Sequence, residues 1–235
     1  MLEKIENHDF IELEFTGKTA VDNLVFDTNI EAVAKSSGLQ TEKSNFKPVT
    51  ICVGEKQLLP GLDEELPGKE IGKDYEIKLG PEQAFGKRNV KKIQLVPVST
   101  FHENKMNPQP GLQVDFDGKM GTVMRVSGGR VMVNFNHPLA GKDVIYEIKV
   151  IKKITDPKLQ LESYLKSTTQ LPENMIGVDV KEDKATIEMP FDLPEQFSGE
   201  LTKKLCELTK LKEVKFTKKE PAKEEVVKKE EIKES

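Results

Sequence analysis

Residues 10–15, Phe-Ile-Glu-Leu-Glu-Phe, alternate strictly: Ile11, Leu13 and Phe15 project one way and Glu12 and Glu14 the other. This is the pattern of a strand with one wet face. Thr16-Gly17-Lys18 reads as a turn, and Val25-Phe26-Asp27-Thr28 follows as two apolar residues ending in a carboxylate. The polar segment from Asn29 to Pro48 reads as a surface excursion, with a helical turn or two at Ile30–Lys35. Val49–Val53 is the next strand. It leads through Gly54 into Glu-Lys-Gln-Leu-Leu-Pro-Gly-Leu, where a short helix begins near Pro60-Gly61. Tyr75, Ile77 and Leu79 then alternate with Glu76 and Lys78, and Gly80–Gly86 forms a loop carrying one exposed-looking aromatic, Phe85.

The pattern changes after Lys87. Lys91–Val98 is strand-like, and Pro108, Pro110 and Gly111 interrupt the chain before a β-meander of 112–116, 121–126 and 130–135. Asp117-Gly118 and Ser127-Gly128-Gly129 are the turn signals between its strands. Val144, Tyr146, Ile148 and Val150 line one face of a long strand whose other face carries Glu147, Lys149 and Lys153, as in an antiparallel sheet with a wet side. Asp156-Pro157 has the form of an N-cap followed by proline at the first helical position. Leu161, Tyr164 and Leu165 supply that helix's apolar side. Ile176, Val178 and Val180, then Ala185, Ile187 and Met189, read as a hairpin turning at Glu182-Asp183. A longer helix follows with Phe197, Leu201, Leu205 and Leu208 on one face, and 213–216 reads as a last strand. Residues 156–216 therefore form a small α+β domain, and 217–235 a solvated Lys/Glu tail.

Composition narrows the function more than the fold. Of 235 residues, 36% are hydrophobic and 32% charged, as in a globular protein with a heavily charged surface. The net charge of -4 supplies no global basic field for nucleic acid. No apolar run approaches the roughly 20 residues that span a bilayer, and the N-terminus lacks an apolar signal core. The expectation is a cytoplasmic protein with no membrane or nucleic-acid partner. Cys52 and Cys206 read as two buried thiols. His8, His102 and His137 show no ligand spacing, so no metal is expected.

Reactive groups are scarce. No Ser or Cys has a plausible His–acid partner, and no glycine loop of phosphate-binding type occurs. What remains is a set of apolar residues at turns and strand ends, Phe15, Phe26, Leu58, Leu59, Leu62, Phe85 and Tyr146, with Asp27 directly beside Phe26. Taken one at a time, each reads as core.

The order and spacing of five motifs give that set a meaning: Leu13-Glu-Phe-Thr-Gly17, Val25-Phe-Asp27, Val53-Gly-Glu-Lys-Gln-Leu-Leu-Pro-Gly-Leu62, Pro81-Glu-Gln-Ala-Phe-Gly86 and Asn136-His-Pro-Leu-Ala-Gly-Lys142. Over residues 10–154 the chain resembles the FKBP-type peptidyl-prolyl isomerases, in particular the SlyD-like and archaeal long-type branch. The residues after 155 resemble the extra C-terminal domain of the long members. The resemblance implies an α+β fold: a twisted antiparallel half-barrel around a short helix (1–86 and 137–154), an inserted small β domain (87–136), a C-terminal α+β domain (155–216) and the tail. It also implies a prolyl pocket lined by Phe15, Phe26, Val49, Leu58, Leu59, Leu62, Phe85 and Tyr146. Asp27 would lie at the pocket's edge, Leu139 would close one side, and the Leu59 N–H would hold a substrate carbonyl. No cofactor is implied. Leu62 stands where the family usually has a tryptophan, and Phe15 and Phe85 where many relatives have tyrosines.

In that branch the insert captures unfolded chains. Its apolar inventory here is Ile93, Leu95, Val96, Val98, Met106, Met120, Val123, Met124, Val126 and Met132, which equally serves as the core of a small β domain. Met120 and Met124 are the expected groove contacts, methionine being well suited to promiscuous surfaces. The expected partners are unfolded or nascent polypeptides and proline-containing peptides. A holdase on the same scaffold, with weak or lost isomerase activity, is the alternative. An RNA-binding barrel built on Lys119, Arg125 and Arg130 is disfavoured by the acidic balance. The helix face from Phe197 to Leu208 has its own hairpin as its expected cover, with a homodimer through the C-terminal domain as the other reading.

Overall fold

The computed structural model of the chain describes residues 3–39, 46–116, 118–169, 171 and 175–218. They fall into two units, the first drawn from 1–5, 13–49 and 58–151, the second from 6–12, 50–57 and 152–235. The charged tail beyond Lys218 and the Asp117 half of the Asp117-Gly118 turn lie outside the described residues. Among these residues no helix is long and apolar enough to cross a membrane, and no group of three His, Cys, Asp or Glu is placed to hold a metal ion.

The alternating stretches become β1 (Phe10–Thr19), β2 (Val25–Thr28), β3 (Val49–Cys52), β4 (Asp74–Leu79) and β9 (Val144–Lys153). They form a five-stranded sheet in the order β2-β1-β9-β4, with β3 also paired to β1. The turn expected at Thr16-Gly17-Lys18 is not there. β1 runs through it with a register shift between Gly17 and Lys18, and pairs antiparallel with β2. Polar chemistry places the reversal later. The Thr19 N–H donates to the Leu24 carbonyl at 3.0 Å, and the Thr19 hydroxyl oxygen accepts from the Leu24 N–H at 3.0 Å. The bulge absorbs the irregularity that Gly17 announces in the sequence. Two short helices attach to this frame, α1 (Glu31–Ser36) and α2 (Pro60–Glu65), the latter with proline in its first turn.

Within the first unit the insert forms a second sheet, β5-β8-β7-β6, from β5 (Ile93–Pro97), β6 (Gln113–Phe116), β7 (Lys119–Ser127) and β8 (Arg130–Asn134). Val98, expected in a strand, instead opens α3 (Val98–Glu103). Pro97 takes φ -59° as its N-cap, and the helix drives Phe101 into the core at 0% exposure. Phe101, Val114, Val123, Val131 and Val133 form that core, with Phe116 edge-on to Phe101 at 5.2 Å. Of the insert's apolar inventory Val123 is thus core, whereas Leu95, Met120, Met124 and Val126 are exposed. A bulge in β7 between Val123 and Arg125 leaves Met124 without a partner residue in β8.

In the second unit α4 (Pro157–Thr169) starts where Asp156 Oδ1 accepts from the Lys158 N–H at 3.0 Å. The hairpin β10 (Gly177–Lys181) and β11 (Lys184–Met189) turns at Glu182, which adopts φ +52°. After α5 (Glu195–Thr209), β12 (Glu213–Lys218) returns parallel to β11. Leu205 and Leu208 pack with Leu161, Leu165, Ile187, Met189 and Val214 in one core, so the helix face is covered by its own hairpin. Phe197 is not part of that face. It is 67% exposed in the first turn of α5, ahead of the stretch that meets the sheet.

Candidate functional site: an aromatic cluster on the five-stranded sheet

Antiparallel pairing sets Tyr146 opposite Ile77, with Val144, Ile148 and Val150 sharing its buried face. Phe15 lies on β1 and Phe26 on β2, so the sheet brings three rings from three strands together. Phe26 meets Tyr146 edge-on with ring centroids 5.8 Å apart, and Phe15 lies tilted 6.2 Å from Tyr146. Such edge-to-face pairs contribute about 0.5–1.5 kcal/mol beyond their burial. Gly17 makes the approach possible. A Cβ there would lie 2.9 Å from two ring carbons of Phe26 and 3.0 Å from Tyr146.

The backbone around Phe15 is held by side chains. Asn29 Oδ1 accepts from the Phe15 N–H at 2.8 Å, Asn29 Nδ2 donates to the Leu13 carbonyl at 2.9 Å, and the Thr28 hydroxyl donates to the Phe15 carbonyl at 2.9 Å. Asp27 faces Gly17 across the ladder. Although the residue as a whole is exposed, desolvation lifts its carboxyl above the usual carboxylate range against the pull of the Thr28 backbone N–H. Burial raises the Tyr146 phenol well above its ordinary value, and the Asp27 charge adds to the effect. The phenol therefore stays protonated at any physiological pH.

Phe85 follows the tight turn Pro81–Gln83, which the Gly86 N–H closes onto the Pro81 carbonyl at 2.6 Å. Its ring meets Phe26 edge-on at 5.6 Å and stacks flat on His137, with centroids 4.7 Å apart and planes 2° from parallel. The Gly141 N–H donates to the Gly86 carbonyl at 2.9 Å, tying the two loops together. Leu139 is half-buried in the same turn, where its N–H donates to His137 Nδ1 at 3.2 Å.

The stretch before α2 presents the backbone. Leu59 is its N-cap, with φ -59° and ψ 141°; its carbonyl accepts from Leu62 at 2.9 Å and Asp63 at 3.1 Å. Its own N–H has no acceptor among the described residues. Leu58 and Leu59 are half-buried and Leu62 is 3% exposed. Gly61 lets the helix close onto β4, since a Cβ there would lie 2.5 Å from Leu79 Cδ2. Val49 is half-buried at the start of β3.

Ring contacts thus join Phe15, Phe26, Phe85 and Tyr146 directly, and Asp27 acts electrostatically on Tyr146. Met120 and Met124 lie on β7 of the insert's sheet. Met120 lines a cavity of about 450 Å³ with Phe116, Phe135, Lys92, Gln94 and Lys119. The Met124 sulfur accepts from Arg88 Nη2 at 3.7 Å. Gly17, Asn29 and His137 also touch the residues of this cluster, though the sequence reading assigns none of them a part in the pocket. Gly17 and His137 stand inside two of the five motifs, which is the signal that points to them; Asn29 stands at the start of a polar segment and carries none.

Two family models match: one described as FKBP-type peptidyl-prolyl cis-trans isomerase over residues 2–102, the other as FKBP26, IF domain, over residues 94–139. The short-type peptidyl-prolyl cis-trans isomerase of Methanocaldococcus jannaschii is 31% identical over 150 residues, covering 64% of this chain and 94% of that protein. A probable FKBP-type 16 kDa isomerase of Pseudomonas fluorescens is 35% identical over 109 residues, covering 44% and 71%. The FKBP-type isomerase SlyD of Haemophilus influenzae is 26% identical over 133 residues, covering 55% and 70%. With 94% of a 31% identical relative covered, this chain belongs to the FKBP-type peptidyl-prolyl cis-trans isomerase family.

Proposed function

We propose that the family's reaction, rotation about an X–Pro peptide bond, takes place against Phe15, Phe26, Phe85 and Tyr146, with Leu58, Leu62 and Val49 as further apolar wall and Leu139 at one side. The observation that carries this is the ring cluster together with the open N–H of Leu59. The barrier to be lowered is about 18–20 kcal/mol. A planar amide is stabilised by charge-separating resonance, and the twisted transition state has lost much of it. An apolar, dehydrated wall therefore favours the twisted state over the planar one, which is differential binding of the transition state. The Leu59 N–H restrains the carbonyl on one side of the bond while the prolyl side turns. Asp27 marks the polar edge. The reaction asks for no nucleophile, metal or cofactor.

The insert, residues 87–136, is proposed to capture unfolded or nascent chains and deliver them to this site. Its exposed Leu95, Met120, Met124 and Val126 support that role, as does the insert-domain match. Residues 155–216 are proposed as a separate C-terminal domain. Cys52 is buried and Cys206 half-buried, and both are thiols.

The test is cis/trans exchange followed by NMR, without a coupled protease, on a short prolyl peptide and on an unfolded proline-limited protein. Acceleration of both, larger for the protein, is the expected result. Absence of any acceleration in the peptide overturns the reading.

A further inference from the structure

We propose that the insert's sheet selects unfolded segments in which a large apolar side chain has Asp or Glu beside it. The apolar side chain enters against Phe116 and Phe135, and the carboxylates meet Lys92 and Lys119. This rests on the capture role given to the insert above and narrows it to a class of client.

One face of this sheet is covered at one end only. Phe101 of α3 is fully buried and packs with Val114, Val123, Val131 and Val133. From there a row of rings runs outward: Phe116 lies edge-on 5.2 Å from Phe101, and Phe135 lies 6.5 Å from Phe116. Phe116 and Phe135 are only half-buried, and they border the cavity of about 450 Å³, which no residue of α3 lines. Gly121 keeps this end of the sheet low, since a Cβ there would lie 2.7 Å from Phe135 and from Val133. Met120 stands exposed at the cavity's rim. The volume is in the range of pockets that take small ligands, about 300–1,000 Å³, and holds one aromatic or long aliphatic side chain with part of its backbone.

The charged lining is cationic. Lys92 and Lys119 are exposed at the cavity, and neither ammonium has an ion-pair partner among the described residues. Asp115 is the single carboxylate in the four strands, and it does not line the cavity. The imbalance extends over the insert: residues 87–136 carry eight Lys or Arg against three Asp or Glu, in a chain with 36 against 40. An apolar floor beneath two unpaired cations strengthens their pull on a carboxylate, and like-charged clients are turned away. The groove thus discriminates by sign as well as by hydrophobicity. An RNA strand would ask instead for open aromatic faces on which bases stack, whereas Phe116 is engaged edge-on with the core ring Phe101.

The experiment uses the full chain and fluorescein-labelled, proline-free peptides with one central Phe flanked by Asp, by Ser or by Lys. The same peptides with Ser in place of Phe, and an oligouridylate, serve as comparisons. Dissociation constants are read by anisotropy at low and high salt for the unmodified protein, for the double variant Lys92→Glu with Lys119→Glu, and for Lys105→Glu, which lies in the insert but not at the cavity. All three lysines are exposed, so the variants retain the fold, and Tm verifies it. The Asp-flanked peptide should bind about tenfold more tightly than the Lys-flanked one at low salt, the scale of two partly exposed ion pairs, with the difference shrinking as salt rises. Replacing Phe by Ser should abolish binding, the double variant should invert the order of the flanks, and Lys105→Glu should leave it unchanged. Binding that needs Phe but ignores the flanks, or an Asp preference that survives the double variant, overturns the proposal and leaves the capture role standing. Absence of Phe-dependent binding by every peptide removes the capture role as well. Tighter binding of the oligouridylate, lost in the double variant, overturns it in favour of nucleic acid.

Discussion

Gly17 lies so close to Phe26 that a β-carbon added to it would stand 2.9 Å from the ring. Its φ is outside the left-handed region, so the backbone would accept any residue. What glycine provides here is room, the space that lets Phe26 and Tyr146 meet edge-on.

Gly17→Ala should therefore act on the site before it acts on the fold. Overpacking of this kind costs about 1–3 kcal/mol, and displaced rings should lower kcat/KM on a prolyl tetrapeptide by about tenfold or more. Thermal unfolding and peptide exchange measure the two effects separately. Unchanged kcat/KM would remove the ring cluster from the mechanism.

Asp27 gives a pH dependence of definite sign. Its folded carboxyl is raised above the unfolded value near 3.8, so the native state binds the proton more tightly than the unfolded state does. Its ionised form therefore costs stability above the folded pKa, and the cost disappears as pH falls through that pKa toward the unfolded value. Asp27→Asn should be more stable than the parent at neutral pH, with the advantage vanishing on acidification. Chemical denaturation across pH 3 to 7 checks this.

Asn136 is 8% exposed and holds the entry to the insert. Its Oδ1 accepts from the Asn89 N–H at 2.8 Å, and its Nδ2 donates to the Asn89 carbonyl at 2.9 Å. Asn136→Ala removes the acceptor of the Asn89 N–H, while the Asn89 carbonyl keeps the Lys92 N–H at 3.1 Å; loss of the two Asn136 bonds should cost about 0.5–1.5 kcal/mol each. Hydrogen exchange at Asn89 should speed up accordingly, and its failure to do so would deny Asn136 this anchoring role.

Met120→Asp with Met124→Asp should weaken isomerisation of an unfolded protein far more than that of a tetrapeptide, because both side chains stand exposed on the insert's sheet. Aggregation of a reduced client, followed by light scattering, provides the parallel readout.

On α5, Leu205→Ala should cost about 2–5 kcal/mol, because Leu205 is fully buried. Phe197→Ser should change stability by no more than about 0.5 kcal/mol, as at an ordinary surface position.

Much of this was legible in the chain. Alternation at 10–15, 75–79 and 144–150 marks β1, β4 and β9; Asp156-Pro157 marks the start of α4; Glu182-Asp183 marks the hairpin turn. These signals are local, arising from side-chain period and from the hydrogen-bonding habits of a few residues, so they survive without knowledge of the fold. Local patterns misplaced the first reversal for the same reason. Gly17 carries a turn residue's signature, but whether the strand stops or bulges depends on the partner strand that pairs beyond it.

The sequence by itself determined the family motifs, most of the strand and helix succession and the apolar character of the residues around Leu59. The tertiary structure decided which rings touch, that His137 stacks on Phe85, that Met124 lies at a bulge, and that Phe197 faces solvent. Each of these depends on residues far apart in the chain meeting at ångström distances. Close-packed side chains discriminate at that scale, whereas periodicity along the chain records only which side of an element each residue faces.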